Sequence, residues 1–229
     1  TSWLIIEVSG LSTGSAGQPS WKTTDLCLSE NCLFYDGSSN IATVTNASSI
    51  DLNDQLAGTF TFQAWIRPNG AGEGTGGQIF YKGTNTWLRV DTLSGGKLDI
   101  EASLDLATTD ATLNVSQAVD DNRWTHVTLS YTDDADDEIT IFVNGNNLGS
   151  STNGIGAPAA DTNNLLIAGT TTNNFKGFID EFKIYKEEHT AAQIYTDFVK
   201  GTSSLHGVQA AHGIRDYAFL SDGLVGYWK

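Results

Sequence analysis

Two carboxylates in the segment KLDIE, Asp99 and Glu101, have a spacing that could support acid chemistry. Side chains at i and i+2 of a β-strand point to the same side. Retaining glycoside hydrolases use two carboxyl groups about 5 Å apart as nucleophile and acid. His126 in WTHVTL is a candidate base, but no Gly-x-Ser-x-Gly nucleophile motif accompanies it. We therefore interpret His126 as an ordinary strand residue. For Asp99 and Glu101, the alternative to a catalytic role is the outward polar face of an amphipathic strand.

Cys27 and Cys32 are separated by four residues that include Ser, Glu and Asn. This spacing suits a disulfide across a tight loop, whereas a zinc site needs two further ligands and the four histidines are scattered. We predict the disulfide, with two reduced thiols as the alternative. The glycosylation sequons at Asn46 and Asn114 fit the same secreted context. Together these features predict an extracellular or cell-surface location.

Sugar binding would use exposed aromatic rings as stacking platforms, with Asn and Asp side chains nearby. Trp87 in GTNTWLRV and Trp21 in QPSWKTT are the glycan-binding candidates, because turn residues flank both. Trp65 and Trp124 lie inside strand patterns and are predicted to be core residues.

The composition predicts one soluble all-β domain. The chain has 229 residues, 39% of them hydrophobic, and its 24 glycines against three prolines indicate many tight turns. The formal charge of −15 repels phosphate backbones and anionic lipid, which argues against nucleic acid as a partner. Apolar runs are too short for a membrane span.

Period-two segments separated by turns predict the strands. In FTFQAWIRP the apolar residues alternate from Phe60 to Ile66. EITIFVNGNNLGS is a hairpin pattern in which Asn144 and Gly145 can supply the positive φ angles of a two-residue turn. These patterns predict a sandwich of antiparallel strands.

One helix is predicted at about residues 190–200, in HTAAQIYTDFVKG. Thr190 and Gln193 have capping-box spacing, Ile194 and Phe198 are related as i and i+4, and Gly201 can end the helix. After it, the chain shows little periodicity until Asp222.

The order of five segments resembles the successive strands and terminal helix of laminin-G-like domains in the concanavalin A-like jelly-roll superfamily. The resemblance covers roughly Cys27 to Gly201, and it rests on the segments CLFYDGSSNIATV, FTFQAWIRPN, RWTHVTLSYTDD, ITIFVNGNNLG and GFIDEFKIYKEEHTAAQI. It implies a two-sheet antiparallel jelly-roll sandwich. This fold hosts lectins, adhesins, enzymes and spacers, so the resemblance alone leaves the function open.

The resemblance also bears on catalysis and metal binding. Laminarinase-type hydrolases of this fold carry Glu-x-Asp-x-Glu on one strand, but here Lys97 stands where the first Glu would be, which predicts a non-catalytic module. In several related families a late-strand Asp holds a structural calcium. That role maps onto Asp180 in IDEFKIY, and the alternative is a strand carboxylate paired with a neighbour such as Lys183. No cofactor is required.

The C-terminal segment SDGLVGYWK is similar to the first strand of this family, although here it stands at the end of the chain. We expect a sandwich over residues 1–201 and an extended segment over 202–229, ending in an inserted or donor strand at 223–228. Four arrangements fill the place of the first strand: the N-terminal SWLIIEV, the same chain's own end, a neighbouring subunit's end, or the next repeat. The predicted subunit-contact residues are Leu224, Val225, Tyr227 and Trp228.

These observations predict a non-catalytic extracellular structural subunit or repeat of a cell-surface fibre or array. Its partners would be copies of itself or adjacent repeats, joined head-to-tail by strand addition. The alternative is a glycan-binding, lectin-like adhesion module of a secreted protein, and an enzyme is a distant third.

Overall fold

The computed structural model describes residues 18–23, 26–28, 30–52, 58–74 and 76–205, together with the backbone of 224–228. Strands dominate this part of the chain. A 3-10 helix covers Ser48–Ile50 and the α-helix α1 covers Ala191–Leu205. The strands are β1 (Ser20–Lys22), β2 (Cys32–Asp36), β3 (Ala42–Val44), β4 (Phe60–Pro68), β5 (Gly77–Lys82), β6 (Thr86–Ser94), β7 (Lys97–Leu104), β8 (Ala111–Asp120), β9 (Thr125–Thr132), β10 (Glu138–Val143), β11 (Asn146–Ser151), β12 (Leu165–Ile167), β13 (Lys176–Tyr185) and β14 (Leu224–Trp228).

These strands form two antiparallel sheets. Sheet A has the order β1-β2-β13-β4-β9-β10-β11, with β14 also paired to β13, and sheet B has the order β3-β12-β5-β6-β7-β8. Strands distant in sequence lie side by side, such as β4 beside β13 and β3 beside β12. The result is a jelly-roll sandwich with one short helix, which confirms the predicted fold class.

The core lies between the sheets and is built from every second residue of the long strands. In β4 the predicted alternation is confirmed, because Phe60, Phe62, Ala64 and Ile66 all lie in the core. Phe62 of sheet A meets Phe80 of sheet B with ring centroids 4.0 Å apart. Burying a large apolar side chain contributes about 1.5–3 kcal/mol, so this alternation decides which face of each strand turns inward.

The hairpin between β10 and β11 forms as predicted. Asn144 and Gly145 have φ angles of 51° and 75°, and the strands pair from Val143 opposite Asn146. The two positive φ angles fit the right-handed twist of the flanking strands.

Helix α1 begins with the predicted capping box. The Gln193 backbone N–H donates to Thr190 Oγ1 at 3.3 Å, and the Thr190 N–H donates to Gln193 Oε1 at 2.7 Å. The prediction that Gly201 ends the helix is wrong, because α1 continues to Leu205. A Cβ at position 201 would overlap the Trp65 ring, so this glycine serves close packing rather than termination.

The outer face of sheet A is polar yet buried where α1 packs on it. Trp65 stacks on Phe198 of α1 with ring centroids 5.8 Å apart, so Trp65 is buried beneath the helix rather than between the sheets. Trp124, the other predicted core tryptophan, is only half-buried and lies 6.2 Å from the Phe178 ring. His126, buried in β9, is a strand residue as predicted.

His189 lies in the same polar layer, buried, with its Nδ1 atom 3.3 Å from Gln63 Nε2. Burial, with the charge of Lys183, lowers the pKa of His126 to about 3 and that of His189 to about 4. Burial also raises the pKa of Asp197 on the facing side of α1. Both imidazoles are therefore neutral at pH 7.

The C-terminal strand β14 pairs with β13 of the same chain, opposite Phe182 to Tyr185. Strand β2 pairs with the same edge of β13 from Lys176 to Ile179. The chain's own strands therefore cover the edge that a donor strand would need, because each backbone edge offers one set of hydrogen-bonding groups. This pairing corresponds to the alternative in which the strand returns to its own domain and does not support addition between subunits. The segment SWLIIEV lies outside the described residues.

The predicted disulfide between Cys27 and Cys32 is present, with Cα atoms 5.4 Å apart. It links the start of β2 to the loop that follows β1. The alternative of two reduced thiols is therefore not what the structure shows.

Replacing Gly201 with Ala tests the contact between α1 and sheet A. In an exposed helix interior this change stabilises by up to about 1 kcal/mol, but the added methyl group here meets the Trp65 ring. We expect a loss of about 1–3 kcal/mol in the free energy of unfolding, measured by urea denaturation. The control is Val199→Ala on the exposed side of the same helix, which should change stability by less than about 0.5 kcal/mol. A stabilised Gly201→Ala variant would show that the contact is loose.

The two buried histidines predict loss of stability in acid. Because their folded pKa values lie below the ordinary value near 6.5, their contribution is fully present above that pH and is lost as the pH falls towards 4. Each contributes up to about 1.4 kcal/mol per pH unit in that window. We expect the melting temperature to fall less between pH 7.5 and pH 5 in His126→Gln/His189→Gln than in the wild type. Equal falls in the melting temperature of the two proteins would contradict this prediction. Asp197, whose raised pKa has the opposite effect on stability in acid, is present in both proteins and cancels in the comparison.

Candidate functional site

The outer face of sheet B brings together an aromatic row on neighbouring strands. Trp87 of β6 lies opposite Tyr81 of β5 on one side and opposite Ser103 of β7 on the other. Directly opposite residues share a face of the sheet. Trp87 and Tyr81 are each partly exposed. Trp87 was predicted from the sequence and Tyr81 was not, although the register of the hairpin QIFYKGTNTWLRV places them together.

The indole of Trp87 is held in place by two neighbours. Its Nε1–H donates to Asn85 Oδ1 at 3.2 Å, and the Arg89 guanidinium lies 4.5 Å from the ring centroid. Asn85 is itself fixed, because its Nδ2 donates to Asp110 Oδ2 at 2.6 Å. These contacts orient the ring before any ligand arrives.

A polar row runs beside the aromatic row, one step along the strands. Arg89 donates from Nε and Nη2 to Glu101 Oε2, at 2.9 and 2.6 Å, and its Nη2 lies 3.7 Å from Asp91 Oδ2. The other Glu101 oxygen accepts a hydrogen bond from Asn114 Nδ2 of β8. Arg89, Glu101 and Asn114 thus form a connected chain across three strands, and local sequence patterns do not predict it.

Two buried polar atoms of this face have no hydrogen-bond partner within the described part of the chain. They are Ser103 Oγ, opposite Trp87, and Gln78 Oε1, opposite Arg89. A buried polar atom without a partner is costly, so an ordered water would be stabilising at these two points.

Trp21, the second glycan-binding candidate, lies elsewhere. It is in the edge strand β1 of sheet A, opposite Leu33, and its side chain is 40% exposed. Trp87 lies in an inner strand of sheet B, so the fold does not unite the two tryptophans in one site.

The carboxylates considered for catalysis are engaged in structural contacts. Lys97, Asp99 and Glu101 share the outward face of β7 with alternate burial, as expected for a polar face. Lys97 pairs with Asp120 at 2.8 Å, and Asp99 Oδ1 accepts from the Gln117 backbone N–H at 2.7 Å. This face is therefore built as a hydrogen-bonded surface.

Asp180, the calcium candidate, is buried in β13 at a register shift, where its Oδ1 accepts the Glu181 backbone N–H at 2.9 Å. Within the described ranges no group of three His, Cys, Asp or Glu side chains is placed to hold a metal ion. Calcium at Asp180 stays a prediction.

The two sequon asparagines have hydrogen-bonding roles. Asn114 is exposed on β8 and donates to Glu101, while Asn46 Oδ1 accepts from the buried ammonium of Lys82 at 3.1 Å. Lys82 also pairs with Asp161 at 2.9 Å. Glycosylation of either asparagine stays a prediction.

The family model described as the concanavalin A-like lectin/glucanases superfamily, a laminin-G type, matches residues 36–195. The chain belongs to this superfamily. The match confirms the sequence resemblance and covers most of the sandwich. No curated protein sequence matches the chain. No helix in the described residues is long and apolar enough to cross a membrane.

Three solved structures share the fold at low sequence identity. The binding domain of Paraclostridial Mosquitocidal Protein 1 has a TM-score of 0.60 and 16% identity, covering 80% of this chain and 45% of that one. Domain 4 of AbnA, a GH43 extracellular arabinanase from Geobacillus stearothermophilus in complex with arabinotriose, has a TM-score of 0.56 and 16% identity, covering 81% and 83%.

The third structure is described as a "putative carbohydrate binding protein" from Bacteroides ovatus ATCC 8483, with a TM-score of 0.55, 19% identity and coverage of 82% and 48%. This chain therefore spans about half the length of the Bacteroides and Paraclostridial structures. At these identities the likeness concerns the fold.

Changing Arg89 to Lys tests whether the guanidinium organises this face. The variant keeps the charge but loses the paired N–H donors to Glu101 and the guanidinium contact with the Trp87 ring. We expect the free energy of unfolding to fall by about 1 kcal/mol in denaturant titration. The comparison is Lys97→Ala, which removes an exposed ion pair and should cost less than about 0.5 kcal/mol. Equal effects would mean that Arg89 is only another surface charge.

Proposed function

We propose that this protein is a non-catalytic, extracellular glycan-binding module whose ligand lies on the outer face of sheet B. The observation that carries the proposal is the pre-oriented Trp87 ring beside Tyr81 and next to the Arg89–Glu101–Asn114 row. An aromatic surface next to fixed hydrogen-bonding groups is the combination that sugar rings need.

The aromatic row and the polar row would contact different parts of a sugar. A pyranose or furanose ring has apolar C–H faces that pack on aromatic rings, while its hydroxyl groups bond to carboxylates and amides. Because Trp87 is held by Asn85 and Arg89, ligand binding would freeze little side-chain motion. Pre-organisation of this kind improves affinity by lowering the entropy lost on binding.

Sheet B is the favoured surface because the corresponding face of sheet A is occupied. Helix α1 packs on sheet A over Trp65, which leaves this face without an open aromatic platform at that point. Trp21 on β1 lies at the margin of sheet A, without a comparable chain of hydrogen-bonded side chains among the described residues.

The comparisons support the class of ligand. A structure described with arabinotriose and one described as carbohydrate binding share this fold. The Cys27–Cys32 disulfide supports an oxidising, extracellular setting. Strand β14 pairs with β13 of the same chain, so the described residues do not support the alternative of a fibre subunit joined by strand addition. The non-catalytic assignment rests on Lys97, which occupies the place of a third acidic side chain on β7.

Trp87→Ala and Tyr81→Ala each test the site, using a glycan array followed by titration calorimetry with the best ligand. We expect each change to weaken binding at least about tenfold, because each removes stacking area from the same row. The matched control is Trp21→Ala, which removes a tryptophan from the other sheet and should leave the affinity unchanged. Loss of binding only in Trp21→Ala would place the site on sheet A. If the wild type binds none of the glycans on the array, the proposed function is wrong.

A further inference from the structure

We propose that this site takes neutral glycans and rejects anionic ones, such as sulfated chains and those rich in uronic acids. The inference rests on the proposed function and adds its ligand class. It follows from how the charges on the outer face of sheet B are paired.

Arg89 is the cation nearest the Trp87 platform, and its charge is already used. Two of its N–H groups donate to Glu101 Oε2, a third contact approaches Asp91 at 3.7 Å, and the guanidinium carbon lies over the indole, 4.5 Å from the ring centroid. Recognition of a sulfate or carboxylate by arginine needs N–H donors aimed at the ligand. Here an anionic ligand would have to compete with Glu101 for those donors.

The second cation of this face is also committed. Lys97 lies at the far end of β7 and pairs with Asp120 at 2.8 Å. Both members of this pair are substantially exposed, with side-chain exposures of 47% and 40%. Arg123 also approaches this carboxylate, with Nη1 3.9 Å from Asp120 Oδ2. These cations lie far from the platform, because Lys97 is about 20 Å along β7 from Ser103, the residue opposite Trp87.

Carboxylates exceed cations around the aromatic row. Asp91 and Asp99 lie opposite each other on β6 and β7, next to the pair formed by Arg89 and Glu101. Asp110 lies behind Asn85 at the other end of Trp87, and Asp105 accepts from Thr84 Oγ1 at 2.6 Å in the adjoining turn. A ligand carboxylate or sulfate entering this region meets like charges from both ends of the platform.

The remaining polar groups of the face are neutral. Asn114 is exposed and offers an amide, whereas Ser103 and Gln78 are uncharged residues buried beneath the aromatic and polar rows. Sugar hydroxyls both donate and accept, so they match amides and carboxylates alike. The face is therefore complementary to hydroxyl groups and repels negative charge.

The wild-type protein gives the first test. Its mobility is measured in affinity gels containing neutral polymers (hydroxyethyl cellulose, dextran, laminarin and arabinan) and anionic counterparts (carboxymethyl cellulose, dextran sulfate and sulfated laminarin). We expect retardation by at least one neutral polymer and binding at least about tenfold weaker to its anionic counterpart at low salt. The difference should shrink in about 0.5 M NaCl, because salt screens the repulsion.

A matched pair of variants separates local from global charge. Asp91→Asn/Asp99→Asn and Asp134→Asn/Asp136→Asn each change the formal charge by two, from −15 to −13. The first pair lies on the candidate face, and the second lies in the exposed turn between β9 and β10 of sheet A. We expect Asp91→Asn/Asp99→Asn alone to reduce the ratio of the affinity for the neutral polymer to that for its anionic counterpart. The expected reduction is about threefold or more at low salt.

The possible outcomes distinguish the charge selectivity from the glycan-binding function. Tight, salt-sensitive binding to anionic polymers that Trp87→Ala removes would overturn the charge selectivity and leave the glycan-binding function standing. Equal effects of the two double variants would assign the discrimination to the net charge of the chain and overturn the local argument. Binding to no polymer would overturn both proposals.

Discussion

The packing of sheet A against sheet B is the constraint on which the remaining structure depends. Apolar side chains such as Phe62 and Phe80 meet between the sheets, and this contact assigns every second residue of a strand to the core. The intervening residues must then face outward. The polar and aromatic side chains of β6 and β7 are displayed on one surface because their apolar neighbours are buried on the other.

The outer faces of sheets A and B differ because helix α1 packs on sheet A. On sheet A, α1 packs closely enough that position 201 has no space for a side chain beside Trp65. The polar layer beneath it contains buried histidines whose neutral form is favoured. On sheet B, the equivalent surface keeps Trp87 and Tyr81 partly exposed. The helix therefore makes one face structural and leaves the other available for a ligand.

The candidate site combines rigidity with a negative surround. Arg89 is central to both properties, since it lies over the Trp87 ring, binds Glu101 and has little positive charge left to offer a ligand. A residue that would mark an anion site in isolation thus acts here as an internal support. This role of Arg89 depends on partners that come from different strands. The class of ligand is therefore inferred from the local charge pairing and not from the net charge of the chain.

Local patterns in the sequence determined strand β4, the Asn144–Gly145 turn, the helix cap at Thr190 and the disulfide, because each depends on residues near one another in the chain. Trp87 was also visible as a tryptophan between turn residues. Only the tertiary structure decided that Trp21 and Trp87 lie in different sheets and that Glu101 supports Arg89. It also decided that β14 pairs within its own chain and that α1 runs through a glycine. These outcomes depend on strand register and on contacts across the fold, which period-two alternation cannot encode, because it specifies a face and not a neighbour.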